Sequence, residues 1–125
     1  MNRAAGLYIG HTDHKGRGVF TAQAIAADSI IEICQVLILP KHENPIIHKT
    51  SLHDYYFLWG EDLDRFAIAL GYGSLYNHEV NPNANFILDL ANDTIDIIAI
   101  KDIEAGEEIT INYHGEPGCE DELWF

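Results

Sequence analysis

Cysteine is scarce in this chain: Cys34 and Cys119 are the two among 125 residues. Two distant thiols cannot staple a small disulfide scaffold, nor supply the three or four thiolates of a structural zinc site. Basic residues are scarce as well, 7 Lys and Arg against 20 Asp and Glu, for a net charge of −13. Binding to a phosphate backbone or an anionic membrane rests on Lys and Arg, so the balance argues against direct nucleic-acid binding and against a membrane role. The same charge attracts a basic protein or peptide and speeds their encounter at low salt. No apolar run reaches the ~18 residues of a membrane span, and no charged-then-apolar leader opens the chain. A soluble intracellular protein is expected.

Apolar residues make up 47% of the chain, ordinary globular content. The length suits one domain over residues 1–125 with a single core. The segment 6–10 reads as a short strand, followed by a polar loop punctuated by Gly16 and Gly18. The segment 25–29 reads as a turn feeding Ile30 to Leu39, a run too β-branched for a helix and stopped by Pro40, hence a strand. Residues 41–61 read as an irregular connection ending in the aromatic cluster Tyr55 to Trp59, and 67–78 has room for one helical turn. Ala84, Phe86, Leu88 and Leu90 alternate with Asn85, Ile87 and Asp89, and 94–100 returns after a turn at 91–93, predicting a hairpin. Ile25 and Ala27 before Ile31 and Ile33 are echoed by Ile103 and Ala105 before Ile109 and Ile111, as if one turn-then-strand corner were used twice.

Three segments carry chemistry only when taken together. Lys15-Gly-Arg-Gly-Val-Phe20 brings backbone within reach of a ligand, but alone is a plain turn and lacks the rest of a dinucleotide fingerprint. Leu70 to Asn83 places Asn77, His78, Pro82 and Asn83 after an apolar patch; alone it is an Asx-type turn. Glu104 to His114 is a turn entering a strand that ends in Tyr113; alone it is an acidic turn and a half-buried edge strand. Seven histidines include the pairs His11/His14 and His48/His53, but without a matching carboxylate or thiol set they are read as solvated, and no metal site is expected.

In this order and spacing the three segments resemble the SET domain of protein-lysine methyltransferases. The matching residues are Gly16-Arg17-Gly18, Asn77-His78 followed by Pro82-Asn83, and Gly106 to Thr110 running into Tyr113. The likeness spans about residues 6–115 and is greatest to minimal SET-only proteins of viral and bacterial type. It implies a mostly β fold of small sheets (β-clip type) with a C-terminal pseudoknot, one or two short helical turns, a variable insert at about 41–66 and a cap at 115–125. It also implies S-adenosyl-L-methionine held by Gly16, Arg17, Gly18, Asn77 and His78, and Tyr113 as catalytic tyrosine. Tyr55, Tyr76 and Trp124 would line the substrate channel, with Trp124 or Phe125 as aromatic cover. The partner would be a basic protein, histone-like or other, in the cytoplasm or, for histones, the nucleus. The minimal relatives point to a homodimer. Glu79 departs from the family, which has small residues after the Asn-His pair.

These residue types suit methyl transfer to an amine. The lysine must arrive neutral, and a dry aromatic channel beside a cation disfavours the ammonium. Ring faces stabilise a cationic donor. A tyrosine hydroxyl is a poor base at pH 7, so Tyr113 is assigned to positioning. The alternative is a non-catalytic acidic β module that binds a basic partner, with Glu79 marking a decayed cofactor site.

Overall fold

The computed structural model describes residues 2–121. Strands β1 (Leu7–His11) and β2 (Arg17–Thr21) form a hairpin with Gly10 opposite Gly18. Its turn is closed by the Thr12 N–H on the Gly16 carbonyl at 2.8 Å. Strand β3 (Ile30–Leu39) covers the run expected from its β-branched content. A bulge between Ile30 and Glu32 breaks its alternation, so that Ile31 and Glu32 both turn inward.

The stretch read as irregular holds more order than the sequence suggests. Two 3-10 turns, Lys41–Glu43 and Ser51–Asp54, flank the single-turn helix α1 (Asn44–Ile47). The aromatic cluster then forms strand β4 (Tyr56–Trp59), and Arg65–Ala69 forms β5, which was not anticipated. Small residues at 67 and 69 disguise β5, yet their size is what lets it pack: both are buried, and Ala69 Cβ lies where a Cβ on Gly73 would stand. A 3-10 turn at Gly73–Leu75 supplies the expected helical turn before the two-residue strand β6 (Asn77–His78). The expected hairpin is β7 (Ala84–Asp89) and β8 (Thr94–Ala99), its turn capped by Asp89 accepting from the Asn92 backbone and side chain at 3.1 and 2.8 Å. Strand β9 (Glu108–Ile111) closes the fold.

The strands make two small sheets, in the orders β1-β2-β9-β6 and β4-β5-β3-β8-β7. The core runs between them through Val19, Ile31, Trp59, Ile95, Ile97, Ile109 and Ile111. Each fully buried isoleucine is worth about 1.5–3 kcal/mol of transfer free energy. The repeated corners pair with each other: Ile25 and Ile103 exchange both backbone hydrogen bonds at 2.8 Å.

The edge-strand reading of the last segment is overturned, because β9 lies between β2 and β6 and is buried from Ile109 to Ile111. Asn83 clamps it from the side, accepting from the Thr110 N–H at 2.9 Å and donating to the Glu108 carbonyl at 2.8 Å. Beyond the strand, the buried Asn112 donates to the carbonyls of Val80 and Cys119, and the Gly118 N–H donates to Val80. This lacing of a late segment onto the 80–83 loop is the threaded arrangement expected of the pseudoknot.

Candidate active site

Tyr113 stands where β9, β6 and the aromatic segment meet. Its backbone N–H donates to His78 Nδ1 at 3.0 Å, and its hydroxyl donates to the Tyr76 carbonyl at 2.8 Å. Burial, reinforced by Tyr55, Glu108 and Asp54, pushes its phenol pKa up to about 12. The hydroxyl is therefore protonated at neutral pH, as a positioning role requires.

On one side lies a polar shelf. Strand β6 runs parallel to β9, with Asn77 opposite Thr110 and His78 opposite Ile111. Asn77 Nδ2 donates to the Arg17 carbonyl at 2.9 Å and to Glu108 Oε2 at 2.7 Å, tying β6 to β2 and β9. This explains Gly18: a Cβ there would meet the Glu108 carboxylate and stand 2.8 Å from Asn77 Nδ2. The glycine serves the packing of the protein itself. Gly16 differs, with φ of 69° and nothing within 4 Å of where a Cβ would point. It needs glycine for its backbone, and it leaves the shelf uncrowded. Lys15 closes the edge, pairing with Glu79 and donating to the His78 carbonyl at 3.1 Å. His78 accepts at Nδ1 and is neutral; burial, followed by His114 and later Lys15, lowers its pKa below the ordinary value, against the opposing pull of Glu79.

On the other side lies a cavity of about 330 Å³. Tyr55, Phe57, Leu58, Leu63, Tyr76, Phe86, Leu88 and Tyr113 give it an aromatic and aliphatic wall, with Asp54 and His114 among its polar groups. Phe57 and Phe86 pack edge to face, 5.0 Å between ring centroids. Tyr55, 40% exposed, lies in this wall, held through its carbonyl by the Ser74 hydroxyl at 3.0 Å. Tyr76 is different in kind: its ring is buried and its phenol donates to Glu32 Oε1 at 2.8 Å, so it meets Tyr113 through its backbone carbonyl. Burial and Glu32 push that phenol's pKa far upward.

The structure thus brings Arg17 and Gly18 against Asn77 and His78 against Tyr113, leaves Gly16 open in the turn before them, and sets Tyr55, Tyr76 and Tyr113 around the cavity. Trp124 and Phe125 lie outside the described residues. Sequence reading missed Glu108, Glu32, Phe57 and Phe86. Glu108 lies within the matching stretch Gly106 to Thr110 but had no role assigned, while the alternation of Phe86 with Leu88 was a usable signal for an inward face. Glu79, odd beside Asn77-His78, has its reason in Lys15. His48 and His53 pack edge to face at 4.2 Å, but among the described residues no group of three or more His, Cys, Asp or Glu could hold a metal ion. Among the same residues no helix is long and apolar enough to cross a membrane.

Comparison with known proteins agrees with this geometry. The family model for the SET domain matches residues 16–114. The chain is 37% identical over 120 residues to a Schizosaccharomyces pombe protein named histone-lysine N-methyltransferase, H3 lysine-37 specific, covering 95% of this chain and 76% of that one. It is 33% identical over 102 residues to histone-lysine N-methyltransferase set9 of the same organism, covering 76% of this chain but 22% of that longer protein. A solved Plasmodium falciparum structure assigned as a histone methyltransferase superposes with a TM-score of 0.69 at 32% identity, covering 88% of this chain and 94% of that one. The chain belongs to the SET-domain family of protein-lysine N-methyltransferases.

Proposed function

We propose that this chain transfers a methyl group from S-adenosyl-L-methionine to a lysine in a basic, histone-like protein, with Tyr113 as the catalytic residue. The observation that carries the reading is the place of Tyr113 between a polar shelf and a largely apolar, aromatic-walled cavity. SET methyltransferases generally use S-adenosyl-L-methionine, which supplies an activated methyl on a sulfonium centre. The residues of the shelf fit such a group: the space off Gly16 is open, and next to it in the chain Arg17 is tied to Asn77. In this reading Asn77, its amide nitrogen committed to Arg17 and Glu108, holds the shelf together, Gly16 leaves room for the group, and Gly18 seats Asn77 and Glu108 against β2.

The lysine side chain enters past Tyr55 and lies along Phe57, Phe86 and the Tyr76 backbone. Loss of water there disfavours the ammonium, so the amine gives up its proton to water at the cavity mouth as it enters. The Tyr113 oxygen, its own proton committed to the Tyr76 carbonyl, accepts from the amine and turns its lone pair toward the shelf, where the bound group would supply its methyl. Acidic groups such as Asp54 near the cavity mouth receive the basic residues that flank the target lysine. Histone H3, named for one relative, is the first substrate to try.

Two further readings accompany this one. Residues 1–125 act as a single domain whose insert, about 41–66, shapes substrate choice and whose segment 115–125 caps the channel. The chain self-associates as a homodimer; light scattering that gives 14.0 kDa at micromolar concentration would exclude it. The main test is incubation with tritiated S-adenosyl-L-methionine and core histones. Label on lysine is expected, and label that persists after every lysine is blocked would overturn the proposal. Raising salt from low to physiological should raise the Michaelis constant for a basic peptide and leave saturated turnover nearly unchanged.

A further inference from the structure

Glu32 is a charged residue in the core, 2% exposed, on a strand whose other inward residues are Ile31 and Cys34. A regular strand would send neighbouring residues 31 and 32 to opposite faces; the bulge between Ile30 and Glu32 brings both inside. Such burial is costly unless the carboxylate is well hydrogen-bonded. Here it has three donors: the Tyr76 phenol at 2.8 Å, the Tyr72 backbone N–H at 3.1 Å and Arg3 Nε at 3.2 Å. The Arg3 guanidinium also stacks over the Tyr72 ring, 4.0 Å from its centroid. Residues 2–4 hold Arg3 in place by pairing with β3, through Ala4 N–H to Ile31 and Ile33 N–H to Asn2, both at 2.7 Å.

We propose that Glu32 is a positioning residue for methyl transfer: it anchors the Tyr76 phenol, so that the Tyr76 carbonyl holds the Tyr113 hydroxyl at the end of the aromatic cavity. The proposal rests on the reading of Tyr113 given above. Tyr76 is fastened at two ends, its phenol to Glu32 at 2.8 Å and its carbonyl to Tyr113 at 2.8 Å, with a fully buried ring between them. Its backbone lies between the 3-10 turn Gly73–Leu75 and the two-residue strand β6, both too short to fix it by themselves. An apolar residue at 32 would fill the same space at lower cost in desolvation. What it cannot do is fix the direction of the Tyr76 ring, and with it the carbonyl that orients Tyr113. Because in-line transfer tolerates little misplacement, a loosened Tyr113 slows turnover without weakening ligand binding.

The decisive variant is Tyr76→Phe, which keeps the ring and removes one oxygen; Glu32 Oε1 loses its donor, so melting should fall, and turnover is read well below the variant's own melting temperature. Turnover on core histones should fall about three- to tenfold, while KM and the dissociation constant for S-adenosyl-L-methionine stay within about twofold. In a Tyr113→Phe background the same substitution should cost almost nothing more, because both act through one hydroxyl. A purely structural Glu32–Tyr76 pair would give additive losses, and additivity overturns the proposal. A second readout needs no turnover. In protein carrying [¹³Cζ]tyrosine, the Tyr113 resonance, identified by its loss in Tyr113→Phe, should shift and broaden in Tyr76→Phe and less in Arg3→Met. A Tyr113 resonance that stays put in Tyr76→Phe also overturns it. Should the native protein methylate nothing while that resonance still moves, the coupling stands and the assigned reaction falls.

Discussion

The two sides of Tyr113 are held together by different forces. Toward the turn at Gly16 the contacts are polar: Asn77 to the Arg17 carbonyl and the Glu108 carboxylate, Lys15 to Glu79, His78 to the Tyr113 amide. Toward the insert they are apolar: Phe57 packs edge to face on Phe86, and Tyr55 and Leu88 line the same cavity. A polar ligand with charges of both signs needs fixed donors and acceptors, whereas an amine that must shed its proton needs dryness. The contrast teaches how one small fold serves both needs: the β6–β9 pair is a shared wall, polar on one face and leading to the cavity through Tyr113 on the other.

The sharpest way to break this comparison is Tyr113→Phe, which removes the one hydroxyl at the boundary. Turnover should fall by more than about tenfold, or about 1.4 kcal/mol of barrier, with cofactor affinity from calorimetry nearly unchanged. Undiminished turnover would move the catalytic role elsewhere. Next is Asn77→Ala on the shelf, which leaves the Arg17 carbonyl and the Glu108 carboxylate without their donor. Unsatisfied groups of this kind cost about 1–3 kcal/mol, so cofactor affinity should drop about tenfold or more while the cavity side still takes up substrate peptide. Equal weakening of cofactor and peptide would erase the distinction between the two sides.

Acid tests the hinge between them. His78 resists protonation when folded, its pKa lowered chiefly by burial and then by His114, with Lys15 adding and Glu79 opposing. The unfolded chain therefore binds the proton first, near the ordinary 6.5, and stability falls as pH drops below that value until the folded pKa is passed. Above it the group contributes no pH dependence. Protonation also removes the acceptor for the Tyr113 amide, so below the ordinary histidine range turnover should fall more steeply than the substrate lysine's own protonation accounts for. Melting temperatures that already fall on the alkaline side of neutral would contradict the lowered pKa. The smallest effect belongs to Glu79→Gln. Its pair with Lys15 is half exposed, so melting should change by less than about 1 kcal/mol, and added salt should erase the difference.

Much of the fold is legible in local pattern. The β-branched run at 30–39, the alternation at 84–90 and the Asn-Asp turn after it each name their element, because hydrogen-bond periodicity and turn chemistry act over a few residues. The paired Ile25 and Ile103 corners are visible as an echo, though their mutual bridge is not. Strand β5 escaped because Ala67 and Ala69 look like linker until Cys34 and Gly73 are packed against them. Taken alone, the segment of β9 reads as an edge strand, because nothing near it in sequence reveals that β6 arrives on its far side.

The site divides the same way. Gly16, Gly18, Asn77, His78 and Tyr113 are named by the resemblance to the SET family, which rests on the order and spacing of three short motifs. Their bonds are not, for these join residues distant in the chain: Asn77 to Glu108 across 31 positions, Tyr113 to Tyr76 across 37, Lys15 to Glu79 across 64. Composition and motif therefore settle the kind of molecule, acidic, β-rich and built on SET motifs. The polar shelf, the depth of the aromatic cavity and the burial of Glu32 arise only when β9 is threaded between β2 and β6 and the bulge turns β3 inward. Local sequence determines which conformations each segment prefers, while contacts across tens of residues depend on the closure of the whole chain.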